Sequence, residues 1–174
     1  MPKKILMIFW GHPLFDGRCI NMMNQLLNKN YIVHVVGVSS ELDTISYKGA
    51  TIEFIDASML INKWTKYLKY FNFVKKMITI QKPDVIIASD LYSMIPSAQT
   101  KSQHNAKIIY DSRELYTQLG GLKNKPLIQK VWTWYEKKYI LVLLLYVYSL
   151  NKGLHYVSKE HTHRTLCINI YNGM

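Results

Sequence analysis

The segment from Lys82 to Glu114 constrains the fold more than any other part of the chain. Val85-Ile-Ile-Ala88, opened by Pro83, and Lys107-Ile-Ile-Tyr110 are short, β-branched and without polar alternation. That pattern belongs to strands of a parallel sheet covered on both faces. Between them, Tyr92 to Ser102 reads as a helix. Each apolar run ends in an acid, Asp90 after the first and Asp111 after the second. Open α/β sheets bind ligands beyond the carboxyl ends of their strands. The two acidic turns therefore stand where such a fold does its chemistry.

The rest of the chain repeats the alternation. Lys4 to Trp10 is a buried type of strand, broken at Gly11-His-Pro13 and followed by a loop through Asp16-Gly17-Arg18. A helix follows with Ile20, Met23, Leu26 and Leu27 on one face and a stop near Asn28-Lys29-Asn30. Tyr31–Val38 and Thr51–Ile55 are further strands, with a turn around Gly49 before the second. From Asn62 to Ile80, the residues Trp64, Tyr67, Leu68, Phe71, Val74 and Ile78 draw one helical apolar stripe. A last helix opens at Pro126 and runs to about Tyr139, with Val131, Trp134, Tyr135 and Tyr139 expected inward. Strands and helices alternating over short connections imply one α/β domain across residues 1–174, a Rossmann-like, doubly wound parallel sheet.

Composition narrows the partners. The chain carries 22 basic against 11 acidic residues, a net charge of +11 that favours anionic partners. No helix-turn-helix, RNA-binding or zinc pattern accompanies it, so nucleic acid is not the expected partner. Cys19 and Cys167 are too few for a disulfide framework, and no metal-ligand spacing occurs. The apolar start is too short for a signal sequence, which implies a cytoplasmic location. Ile140 to Tyr148 is the most apolar window, roughly half the ~20 residues a bilayer span needs. No acid falls between Asp56 and Asp84. Lys63, Trp64, Lys66, Lys69, Tyr70, Phe73 and Lys76 can therefore form either a solvated face or a peripheral contact with anionic lipid at the inner face of the cell membrane.

Three clusters can carry chemistry. In the Gly11-to-Arg18 loop, glycines admit a ligand close to the backbone, the next helix offers N–H groups to an anion, and Arg18 can bind phosphate. It matches neither GxGxxG nor a Walker loop, and His12 reads either as a base or as a structural histidine. In Ser89-Asp90-Leu91-Tyr92, Asp90 either caps the next helix or accepts a proton or a sugar hydroxyl. Asp111-Ser112-Arg113-Glu114 either pairs internally or holds a polyhydroxylated ligand.

Lys4-Ile-Leu-Met-Ile8, the Gly11-to-Arg18 loop, the Pro83-to-Ala98 segment and Lys107-Ile-Ile-Tyr-Asp-Ser-Arg-Glu-Leu-Tyr116 together resemble the N-terminal domain of the family 4 (group 1) glycosyltransferases of GT-B fold. In that family the last segment commonly reads Tyr-Asp-Ser-His-Glu-Leu, and Arg113 stands here in place of the histidine. Trp134-Tyr-Glu-Lys-Lys-Tyr139, Tyr156-Val-Ser-Lys-Glu160 and Tyr171-Asn-Gly173 are similar to later landmarks, the last at the hinge into a second domain. Ile140 to Leu150 departs from the family, which has a polar turn there; a shift of reading frame would produce such a patch.

The resemblance implies a metal-independent enzyme without a cofactor that moves a sugar from a nucleotide-sugar to a glycan or lipid-linked acceptor in cell-surface polysaccharide synthesis. Its N-terminal domain receives the acceptor; a C-terminal domain, expected to be missing from these residues, binds the donor. Carried over, Gly11, His12, Asp16, Gly17 and Arg18 face the interdomain cleft, Asp90 is the catalytic candidate with Tyr92 beside it, and Asp111, Arg113 and Glu114 bind substrate. By itself such a half is expected to be inactive. The rival expectation is a non-catalytic binding module, either a truncated relic or a subunit completed by a separate donor-binding chain.

Overall fold

The computed structural model of the chain describes residues 1–40, 43–63, 65–111, 126–135 and 137–138. In order, these form β1 (Lys4–Ile8), α1 (Gly17–Asn28), β2 (Ile32–Ser39), β3 (Ile45–Tyr47), β4 (Ala50–Asp56), α2 (Lys66–Gln81), β5 (Val85–Ala88), α3 (Leu91–Gln99) and β6 (Lys107–Tyr110). A further helical segment occupies 126–135. The strands make one sheet in the order β3-β4-β2-β1-β5-β6. The two runs singled out in the sequence are β5 and β6 with unchanged bounds, paired in parallel from Val85↔Lys107 to Ala88↔Tyr110.

The sheet is mixed, which corrects the expectation of a wholly parallel one. β3 runs antiparallel to β4, with Tyr47 opposite Ala50. Lys48 and Gly49, the two residues between them, both have positive φ, 50° and 99°. Two such residues in succession are what a two-residue hairpin turn requires, because that backbone twist matches the strands it joins. The turn was readable at Gly49; a strand of three residues before it was not.

Side chains alternate across the sheet and meet helices on both faces. Ile5, Met7, Val33, Val35, Ile52 and Ile87 pack toward Met23 of α1. Leu6, Ile8, Val36, Ile86, Ala88 and Ile108 pack toward α2 and α3 on the other side. The result is a Rossmann-like α/β arrangement in three layers. Each fully buried aliphatic side chain contributes about 1.5–3 kcal/mol, so apolarity on both strand faces is what holds the layers.

Two helices turn faces that the apolar spacing did not give. α2 buries Tyr70, Val74, Met77 and Ile78, while Leu68, assigned to the stripe, is 64% exposed. Tyr70, read as part of a lipid-facing surface, lies in the core; its hydroxyl is 2.9 Å from Ser93 Oγ, and a satisfied hydroxyl is what lets a tyrosine go inside. Phe73 is half-buried against the same core. Lys63, Lys69 and Lys76 are exposed and Lys66 is half-buried; Trp64 lies outside the described residues. On segment 126–135, Trp132 and Tyr135 pack against the core while Val131 and Trp134 are exposed, the reverse of the expectation for the latter two. Arg113, Glu114, Tyr139 and all later landmarks lie outside the described residues.

Candidate functional site

The strand order places a topological switch between β1 and β5. The chain leaves β1 for α1 on one face and β5 for α3 on the other, so the two connections diverge at the carboxyl edge. Crevices of doubly wound sheets open at such a point.

The loop after β1 is drawn tightly against β2. Gly11 O accepts a hydrogen bond from Val38 N at 2.8 Å. A Cβ on Gly37 would stand 2.5 Å from Pro13 Cδ and 2.9 Å from Gly11 O, and one on Gly11 would stand 2.7 Å from the Phe9 ring. Glycine at position 37 is thus a packing requirement, whereas at position 11 only the half-buried Phe9 ring stands in the way. Gly17 has open space around its Cα, so its place at the start of α1 is not set by crowding. Asp16 caps α1, its Oδ1 accepting from Cys19 N at 2.7 Å. That carboxylate already occupies the favourable negative position at the helix start. The helix end expected to receive an anion is therefore partly satisfied from within, and Arg18 is left as the group that can attract one. His12 stacks between Phe15 (4.1 Å between ring centroids) and Phe54 (5.0 Å), with Nδ1 buried and without a hydrogen-bond partner. This geometry supports the structural reading of His12.

Asp90 is 6% exposed. One oxygen accepts from Ser93 N at 2.7 Å, capping α3; the other accepts from Trp10 N at 2.6 Å. A single carboxylate thus ties the turn after β5 to the turn after β1, across the switch. Of the two readings of Asp90, the geometry supports the cap. Asp111, 5% exposed, follows β6, and its own N–H donates to Ala88 O at 2.9 Å. Arg18 Nη1 stands 3.8 Å from Asp111 Oδ1, beyond a direct hydrogen bond, and the arginine side chain is 51% exposed. Arg18 belongs to the β1 side of the switch and Asp111 to the far side of β5, so their approach crosses the carboxyl end of β5.

Tyr92 is half-buried within a ring cluster that the sequence reading did not assemble. Trp10 lies 4.4 Å from Tyr70, 5.0 Å from Tyr92 and 5.7 Å from Tyr67. Trp132 meets Tyr92 edge-on at 5.0 Å and Tyr67 at 5.2 Å. Aromatic residues at strand and helix ends were a signal, but four separate segments supply them and only folding brings them together. The cluster walls the α2/α3 side of the carboxyl edge with apolar rings, while Arg18, Asp111 and the glycine loop supply polar groups. A surface of this kind can stack a flat or ring-shaped ligand and hold an anionic or hydroxyl group beside it.

Elsewhere, a cavity of about 460 Å³ lined by Asn24, Leu27, Asn28 and Lys48 lies beside α1 and the β3–β4 turn, and includes none of the candidate site residues. Among the described residues no group of three His, Cys, Asp or Glu side chains is placed to hold a metal ion. Nor, among them, is any helix long and apolar enough to cross a membrane. No protein-family model matches the chain, and no curated protein matches it.

Proposed function

We propose that the chain is the acceptor-side domain of a GT-B glycosyltransferase, serving transfer of a sugar from a nucleotide donor to a glycan or lipid-linked acceptor in cell-surface polysaccharide synthesis. The observation that carries this reading is the approach of Arg18 to Asp111 over the carboxyl end of β5. A half-exposed arginine 3.8 Å from a buried carboxylate is held weakly, by about 0–1 kcal/mol. Its cation can therefore turn to a phosphate, beside the Asp111 carboxylate at the end of β6. The Gly11–Arg18 loop would back the donor phosphates, and the rings of Trp10 and Tyr92 would border the acceptor. Asp90 acts as a positioning residue, holding the two turns that flank the crevice. Orientation and charge stabilisation supply much of the rate in such transfers. The donor is expected to be held by a second, separate domain, without a metal.

Titration of the isotope-labelled chain with uridine diphosphate and with a short polyprenyl-phosphate sugar tests the reading. Amide shifts are expected at residues 9–18, 89–92 and 110–111. Shifts confined to other surfaces, or none, would refute it. These residues alone are expected to turn over sugar nucleotides at a rate near zero; robust turnover would show that no second domain is needed. The commitment of both Asp90 oxygens to backbone N–H groups favours a second reading, a non-catalytic binding module. Acceptor binding that no donor-binding partner converts into transfer would select it.

A further inference from the structure

We propose that the cavity beside α1 and the β3–β4 turn binds a neutral sugar residue of an oligosaccharide, at a site separate from the carboxyl edge of the sheet. The cavity measures about 460 Å³, within the ~300–1,000 Å³ typical of small-molecule sites, and is lined by Asn24, Leu27, Asn28 and Lys48. Asn24, Leu27 and Asn28 stand at i, i+3 and i+4 of α1, the spacing that gathers side chains on one helix face. Lys48 comes from the turn between β3 and β4. Leu27 lies against that turn, since a Cβ on Gly49 would stand 4.0 Å from Leu27 Cδ2. Asn24 and Leu27 are half-buried while Asn28 and Lys48 are exposed, so the cavity opens to solvent.

Two observations set these side chains apart from ordinary surface groups. No hydrogen bond ties the Asn24 or Asn28 carboxamide to another described residue, so both keep their N–H donors and carbonyl acceptors. Lys48 has φ 50°, followed by Gly49 at 99°. Left-handed backbone crowds a side chain, and a turn of this kind favours Asn-Gly. Lysine is therefore not what the turn selects, and a side chain held in such a conformation beside a cavity points to a use there.

Donor and acceptor chemistry decides the ligand. A sugar hydroxyl both donates and accepts, as a carboxamide does, so each asparagine can hold two neighbouring hydroxyls. The Lys48 ammonium adds donors, and Leu27 offers an apolar surface to the C–H face of the ring. An anion would use the lysine, but it would meet the carboxyl end of α1, which carries partial negative charge, and would leave both amide carbonyls without a donor. An apolar ligand would find Leu27 alone among the four lining side chains.

The site does not depend on the sugar-transfer reading, since it shares no residue with the carboxyl edge. Asn28 lies on the same helix as Arg18 and about 15 Å farther along it, at ~1.5 Å per residue. Held there, a glycan several residues long is kept near the carboxyl edge at raised effective concentration.

Titration of the isotope-labelled full chain with maltotriose, chitotriose and mannotriose at millimolar concentrations, and separately with inorganic phosphate, is the test. At least one trisaccharide should saturably shift the side-chain amide resonances of Asn24 and Asn28 and the backbone amides of Lys48 and Gly49. Joint Asn24→Ala and Asn28→Ala should weaken that binding about tenfold or more, through the hydrogen bonds lost. Lys48→Asn should weaken it severalfold while the urea midpoint holds or rises, because asparagine suits the backbone of this turn. Trisaccharides that leave these resonances unmoved, or binding indifferent to both variants, would overturn the proposal. So would phosphate shifting the same resonances where the sugars do not, which would make the cavity an anion site. The resonances of residues 24–28 and 48–49 are apart from those that report uridine diphosphate, so the two proposals fail separately.

Discussion

The two acidic corners at the carboxyl edge are one strand apart and are built differently. Asp90 is closed: two backbone N–H groups from different turns occupy its two oxygens at 2.6 and 2.7 Å. Asp111 is comparably buried, but its ion-pair partner is a half-exposed guanidinium at 3.8 Å. Backbone donors are fixed by the fold and cannot leave, whereas a long cationic side chain can exchange one anion for another. The first corner is therefore a structural tie between two turns. A buried carboxylate at a strand end marks a place in the sheet, and its partner decides the use.

The strongest way to break this comparison is Asp90→Ala. It orphans the Trp10 and Ser93 N–H groups, and each unsatisfied buried donor costs about 1–3 kcal/mol, so a loss of about 2–4 kcal/mol is expected by urea unfolding. A loss below about 1 kcal/mol would show that Asp90 is not a structural tie. Gly37→Ala sharpens the same point from the other side, because its Cβ would meet Pro13 and the Gly11 carbonyl and push away the loop that offers the Trp10 N–H. Overpacking of this kind costs about 1–3 kcal/mol, and the Trp10 amide resonance should shift with it. Arg18→Ala should change stability by less than about 1 kcal/mol while abolishing the shifts that uridine diphosphate causes at the loop. Large destabilisation with binding intact would reverse the roles assigned to the two corners.

The smallest effect is a pH dependence away from both corners. Burial, with the charge of nearby Lys101, lowers the His104 pKa below its ordinary 6.5. In the fold, His104 Nδ1 accepts from Ala106 N at 3.2 Å, a bond that protonation removes. The unfolded chain then binds the proton more readily, so the stabilisation is whole above about 6.5 and is lost as pH falls through the lower folded value. His104→Gln should flatten the fall of the urea midpoint between neutral and mildly acidic solution. An unchanged slope would move the acid sensitivity back to the carboxylates.

The sequence by itself determined much of the framework. Val85–Ala88 and Lys107–Tyr110 could only be strands covered on both sides, because nothing polar interrupts them, and Asp90 and Asp111 then had to fall at one edge. It determined too that Asp90 could cap a helix, since a capping acid and the helix it starts are neighbours in the chain. Tertiary structure alone decided the rest. Whether Tyr70 enters the core depends on a hydroxyl from Ser93, and whether Trp134 or Trp132 faces inward depends on rings supplied by α2 and α3. Apolar periodicity says that a helix has a face; it does not say which of two faces finds a partner. The reach of Arg18 to Asp111 likewise exists only because parallel pairing brings chain segments far apart in sequence to one edge.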